Sequence, residues 1–170
     1  GTTPIDGVDD VEEFEILNNA LQALGITDQT LDDLWSLTAS MLYLGNVDFG
    51  SDDDAKITNP DAVTKVEERL GVSGFSDKLV QRMIVTRGET MFKSHTPKEA
   101  MLARDSLVKQ MFDRMFCYLV GCINNTVSNP DQMKQTLGLL DVYGFEFFET
   151  NSFEQLCINF ANEKLQNYFL

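Results

Sequence analysis

The stretch LGLLDVYGFEFFETNSFEQLCINFANEKLQNYF, residues 137–169, decides how this chain is read. Taken back one residue to Thr136, its opening reads TLGLLDVY, an apolar run interrupted only by Asp141. A run without alternation suits a central strand buried on both faces. A carboxylate at the end of such a strand is costly unless it is paired or bound to a cation. Further on, Ser152 and Gln155 have the spacing of a capping box. The helix that they open carries Phe153, Leu156, Phe160, Leu165 and Phe169 along an apolar side. Leu170 still lies inside that pattern and no C-cap follows, so the helix is expected to continue past it.

Between strand and helix lies Asp141-Val142-Tyr143-Gly144-Phe145-Glu146. In open α/β sheets, ligands gather at the carboxyl ends of strands. An Asp there can hold Mg²⁺, because a hard cation prefers carboxylate oxygen. A Gly three residues later lets a backbone N–H approach a phosphate with no Cβ in the way. On spacing alone D-x-x-G is a weak signal. A buried Asp capping a turn, with Gly needed only for its conformation, stands beside the phosphate reading.

Outward from this stretch the chain reads as mostly helical. Thr96-Pro97-Lys98-Glu99 is a capping box with Pro at the first helical position. It opens a helix reaching roughly Asn125, with Leu107 or Val108, Met111, Met115, Leu119 and Ile123 on one face and Met101, Leu102, Phe112, Phe116 and Cys122 widening it. A stripe of this kind is core packing before it is a ligand box. Before it, Arg87-Gly88 reads as a turn and Thr90 to Lys93 as a return strand, giving an exposed loop or ribbon near residues 84–95. Earlier helices are expected over residues 9–23, stopped by Gly25, then after Thr30 as N-cap to Gly45-Asn46. Another is expected from Asn59-Pro60 to Gly71, and a short one after Ser76. A short extended piece falls at residues 47–49.

Composition narrows the function classes. The 170 residues are 43% hydrophobic and 24% charged, ordinary values for a globular protein. The net charge of −14 repels nucleic acid and anionic membranes, so neither is expected as a partner. No apolar run approaches the roughly 18 residues of a membrane span. No secretory leader is visible, and Gly1 in place of Met suggests that the chain begins upstream. Cys117, Cys122 and Cys157 are too few and too scattered for a disulfide framework and suit a reducing compartment. With His95 the only histidine and no CxxC pair, zinc is not expected. Asp52 to Asp54 lacks the alternating ligands, central Gly and closing Glu of an EF-hand and reads as a solvated loop.

The wider stretch is far more specific than D-x-x-G. From Asp141 it resembles, almost residue for residue, the switch II loop and relay helix of the myosin motor domain. The family pattern is an Asp, a β-branched residue, a variable position, Gly-Phe-Glu, then Asn-Ser-Phe-Glu-Gln-Leu and Asn-Glu-Lys-Leu-Gln. The departures are small: Val142 stands where Ile is commoner, and Phe160-Ala161 where Tyr-Thr is common. Leu42-Tyr43-Leu44-Gly45-Asn46 is similar to the family's Leu-His-Leu-Gly-Asn. Arg104-Asp105-Ser106-Leu107-Val108-Lys109 is similar to its Arg-Asp-Ala-Leu-Ala-Lys. The likeness covers essentially the whole chain in the family's order.

The resemblance implies an α-rich α/β fold: a fragment of a P-loop NTPase motor head, mostly helices plus one central-sheet strand ending in switch II. Residues 1–135 would be a mainly helical upper actin-binding subdomain, residues 136–146 the switch II strand and loop, and residues 152–170 the start of the relay helix. Asp141 would stand behind the Mg²⁺ of Mg-ATP, the Gly144 N–H would meet the γ-phosphate, and Glu146 would pair with a switch I arginine. Phe153, Phe160 and Phe169 would be packing contacts of the relay helix. Glu89, sixteen places before Asp105, would be the acidic residue of an actin-facing loop, needing no phosphate there. The implied partners are ATP, the actin filament, and light chains or calmodulin on a neck outside this piece. The implied location is cytoplasmic, in the cytoskeleton. No G-x-x-x-x-G-K-[ST] loop occurs in the chain, so the isolated piece is expected to be inactive and to fold poorly. The alternative is a helical actin-binding or scaffold module without motor activity.

Overall fold

Side-chain caps and glycines set where the helices begin and end. The computed structural model describes residues 5–50, 53–128 and 137–169. It forms two units, Gly1–Ser128 and Asn129–Leu170. Helix α1, Asp10–Ala23, opens on Asp9, whose carboxylate accepts from the N–H groups of Val11 and Glu12 and so satisfies donors of the first turn. Gly25, at φ +83°, ends the segment. Helix α2, Asp28–Gly45, is capped by Thr27 rather than Thr30. Thr27 is extended and its hydroxyl accepts from the Thr30 N–H, so Thr30 already lies in the first turn.

Two short strands follow, β1 (Phe49–Gly50) paired antiparallel with β2 (Lys56–Ile57). Helix α3, Pro60–Leu70, carries Pro at its start and ends at Gly71 in the left-handed conformation, as its sequence predicts. Helix α4, Phe75–Val80, starts from Gly74 rather than Ser76. The predicted ribbon is a hairpin, β3 (Gln81–Thr86) with β4 (Glu89–Ser94), in register from Gln81↔Ser94 to Thr86↔Glu89. Arg87 at φ +53° and Gly88 at φ +85° form its two-residue loop, the backbone that matches the twist of a tight hairpin. Most of its side chains, Met83, Val85, Met91 and Phe92 among them, are exposed, while Ile84 and Ser94 are half-buried.

The 31-residue helix α5, Pro97–Val127, has the predicted capping box, with Glu99 N–H donating to the Thr96 hydroxyl and Thr96 N–H to the Glu99 carboxylate at 2.9 Å. The Thr96 backbone and hydroxyl hydrogen bonds hold the Glu99 carboxyl below its ordinary range. One face of α5 seals two apolar clusters. Leu107, Val108 and Met111 pack on Leu44, Val47, Val63, Val66 and Leu79. Met115, Leu119 and Cys122 pack, with Trp35, on Ile26, Leu31 and Leu34. The predicted stripe from Leu107 to Leu119 is therefore the core face, while its last member, Ile123, is exposed. Of the wider flank only Cys122 joins the core, and Met101, Leu102, Phe112 and Phe116 are exposed.

Polar clamps fix this core. Arg104 is only 8% exposed and donates Nη1 to the Val47 carbonyl at 2.5 Å, while Nε and Nη2 meet one Asp105 oxygen at 2.8 and 2.7 Å. The Asn59 amide accepts from the Asp48 N–H at 2.8 Å and donates to the Asn46 carbonyl at 2.6 Å, holding the exit of α2 to the start of α3.

In the second unit, the strand expected over residues 136–143 is not formed. Thr136 lies outside the described residues, and residues 137–148 have no regular structure. A strand needs a ladder partner for its backbone groups, and among the described residues none pairs with this run. Leu137 and Leu139 are accordingly bare, at 88% and 93% exposure. Helix α6, Phe153–Phe169, follows. Among the described residues no helix is long and apolar enough to cross a membrane.

Replacing Arg104 by Met keeps the stem and removes the donor, leaving the buried Val47 carbonyl unpaired. The expected cost is about 1–3 kcal/mol. It is read as faster amide hydrogen exchange in the last turn of α2, and unchanged exchange there would contradict the role given to this contact.

Candidate functional site

The site candidates Asp141, Gly144 and Glu146 lie in the irregular segment that leads into α6. Local side-chain bonds shape the approach. The Asn151 amide accepts from the Phe148 N–H at 3.0 Å and donates to the Phe148 carbonyl at 2.8 Å, closing a tight turn. Ser152 N–H donates to Gln155 Oε1 at 2.8 Å, the returning half of the predicted capping box, and the Ser152 hydroxyl donates to the Glu154 carboxylate, with Gln155 Oε1 beside it at 3.0 Å.

Glu146 is then fastened to the helix. Its N–H donates to Asn159 Oδ1 and its carbonyl accepts from Asn159 Nδ2, both at 2.8 Å. One amide side chain thus satisfies both backbone groups of one residue, as a neighbouring strand would. Gln155 Nε2 reaches Glu146 Oε2 at 3.3 Å, and Glu146 is half-buried. The loop covers the face of α6 that bears Gln155, Ile158, Asn159, Asn162 and Leu165, all half-buried. A groove of about 390 Å³ runs beside it, lined by Asp141, Tyr143, Cys157, Ile158 and Leu165 among others.

The expected apolar side of α6 is not the side that the loop covers. Phe153, Leu156, Phe160 and Phe169 are 61–74% exposed, and of the predicted apolar side only Leu165 packs. The loop chose the face whose amides could satisfy its backbone. Among the described residues of this unit nothing else is available to cover the phenylalanines.

Asp141 is exposed, and among the described residues no hydrogen bond or ion pair engages its carboxylate. A single free carboxylate does not hold Mg²⁺ by itself, but it suits the water shell of an ion that other ligands hold, which is the place the sequence gives it. Gly144 has no positive φ, and a Cβ placed on it would meet nothing within 4 Å. Neither strain nor crowding within the described residues demands glycine there, so the purely conformational reading of Gly144 finds no support. Glu89 belongs to the other unit, where it is exposed and opens β4 opposite Thr86.

A profile of the myosin head (motor domain) matches residues 1–170, the whole chain. The chain belongs to the myosin head family. It is 39% identical over 173 residues to "Myosin-6" of Arabidopsis thaliana, covering 97% of this chain and 12% of that protein. It is 40% identical over 169 residues to "Myosin type-2 heavy chain 1" of Schizosaccharomyces pombe, covering 97% and 11%. Against "Unconventional myosin-Ic" of Mus musculus it is 36% identical over 176 residues, covering 98% and 17%. The chain therefore spans between a tenth and a fifth of the length of these relatives. The fold is that of a myosin motor domain, a P-loop NTPase, seen here in a mostly helical part.

Sequence reasoning missed Asn159 and the role of Gln155 beyond capping. The signal available was an asparagine one turn beyond Gln155 on the same side of the helix, where a half-buried amide needs partners. Changing Asn159 to Ala removes both bonds to Glu146. Exchange of the Glu146 amide should then rise by about ten- to a hundredfold, the equivalent of two hydrogen bonds at about 1 kcal/mol each. An unchanged rate would mean that the clamp does not hold the loop.

Proposed function

We propose that this chain is the part of an actin-based, ATP-driven myosin head that carries switch II, the start of the relay helix and an actin-facing hairpin. The observation that carries this reading is the match of the myosin head family to residues 1–170, and the two-bond clamp between Glu146 and Asn159 supports the coupling of loop to helix. The clamp makes the loop that ends in Glu146 and the helix that begins at Phe153 one mechanical piece. A displacement of the loop by even an ångström has to be passed to α6 or break both bonds.

In this reading Mg-ATP supplies the γ-phosphate and the metal charge that the loop senses. Asp141 offers its free carboxylate toward the hydrated metal. Gly144, bare and without a Cβ, would let its N–H approach the phosphate oxygens. Glu146 has a carboxylate that is only partly engaged, by Gln155, and remains able to meet a guanidinium from elsewhere in the head. That pairing closes the site to bulk water and orients hydrolysis. The bare apolar run before Asp141 and the bare phenylalanines of α6 are the surfaces that the rest of the head covers. The order-to-motion logic is that of a two-state phosphate switch. A helical actin-binding or scaffold module would need none of Asp141, Gly144 and Glu146, and all three are present.

Gly144→Ala in the complete head leaves the loop room to fold, yet obstructs the phosphate. ATP turnover should fall by about a hundredfold, the scale of losing one backbone donor to a developing charge. Wild-type turnover would defeat the assignment, and so would ATPase activity from residues 1–170 alone.

Glu89 is proposed as the acidic contact of the actin-facing hairpin. Its place beside the two-residue turn, paired with Thr86, puts its charge at the tip of the hairpin. Glu89→Ala should reduce actin-activated turnover of the complete head several-fold while leaving basal turnover intact. Equal activation in both proteins would remove Glu89 from the actin contact.

A further inference from the structure

No Lys, Arg or His occurs before Lys56, yet thirteen of the chain's 27 carboxylates do. Helices α1 and α2 lie in this segment and meet along an open groove of about 470 Å³. The apolar wall of the groove is aromatic. The rings of Phe14 and Trp35 are 4.8 Å apart, tilted by 50°. The Trp35 Nε1–H donates to Asn18 Oδ1 at 2.9 Å, which fixes the indole across the two helices. The carboxylate residues Glu15 of α1 and Asp28 and Asp32 of α2 also line the groove. Asp28 is held in place by Gln22, whose Nε2 donates to its Oδ1 at 2.8 Å. Among the described residues no cation pairs with any of the three.

The chemistry of this groove is that of a cation receptor. Aromatic faces attract a cation through the ring quadrupole, and carboxylates complete the charge. A metal ion does not fit, because among the described residues no three acidic side chains converge closely enough to hold one. Spaced carboxylates beside a ring suit a planar guanidinium, which stacks and donates along its edge at once. The surrounding negative field attracts a basic chain and repels an anionic lipid surface.

We propose that the α1–α2 groove docks a basic segment of a partner protein, taking an arginine side chain between the Phe14 and Trp35 rings and the Glu15, Asp28 and Asp32 carboxylates. The proposal uses none of residues 141–146 or of the hairpin of β3 and β4, and it does not depend on either carrying the role given above.

The test uses the complete protein that contains this chain. Its probes are two fluorescein-labelled peptides that differ only in carrying arginine or its neutral isostere citrulline, followed by anisotropy. The arginine peptide should bind at least about tenfold more tightly, the scale of one charge-assisted pair. The double variant Glu15→Gln/Asp32→Asn, at two exposed positions, should lose most of that difference. Phe14→Leu should weaken the arginine peptide by about threefold, as expected for an exposed cation–π contact. Glu12→Gln/Glu13→Gln removes the same charge from α1 outside the groove and should stay within about twofold of wild type, as for surface charges not in contact. Equal affinity for the two peptides, no binding of either, or an equal loss in the Glu12/Glu13 variant would each overturn the proposal, the last by reducing it to diffuse attraction.

Discussion

Arg104 carries a permanent charge into a place where water hardly reaches, and the first unit is arranged around that fact. A guanidinium cannot be neutralised by losing its proton, so it must be given partners. Asp105 supplies the counter-charge from the next position on α5, and the Val47 carbonyl supplies an acceptor at the exit of α2. The contact fixes the long helix against the turn that feeds β1. With that distance fixed, Leu107, Val108 and Met111 fall onto Leu44, Val47, Val63 and Val66. The next turns of the same face reach the second cluster around Leu31 and Leu34. With Asp105 half-exposed, the ion pair is weak evidence of stability, but the buried guanidinium specifies register, because a shifted α5 would strand the charge.

The second unit uses a neutral device for a similar end. There the backbone of one loop residue is held by an asparagine side chain in place of a strand. Asn59 does the same in the first unit, bridging residues 46 and 48. In both cases an irregular segment keeps its polar groups satisfied without belonging to a sheet.

Much of this was legible beforehand. The capping box at Thr96, the left-handed Gly71 and the Arg87-Gly88 turn are local chemistry, decided within a few residues, and the structure has them where the sequence puts them. Family membership was legible from the long match after Asp141 and the two shorter ones, and the family profile covers the same residues. What the sequence hid was non-local. Hydrophobicity marked Phe153 and Phe160 as the packing side of α6, but the loop settled on the amide-bearing face. The run before Asp141 is apolar enough for a central strand and stays irregular because a strand is a property of its neighbours. Thr27 took the cap from Thr30 because the chain is still extended there. Asn159 could not be singled out by period or motif, since its value lies in a partner thirteen residues away.

The Asn159 clamp has a consequence for how the molecule answers its surroundings. An amide neither titrates nor carries net charge. Counterions do not loosen it as they loosen a carboxylate–ammonium pair, and acid or base within the physiological range leaves it as it is. The two Asn159 bonds between Glu146 and α6 are therefore insulated from the ionic weather of the cell. Sensitivity to salt or pH enters through other contacts, the bond from Gln155 to the Glu146 carboxylate among them.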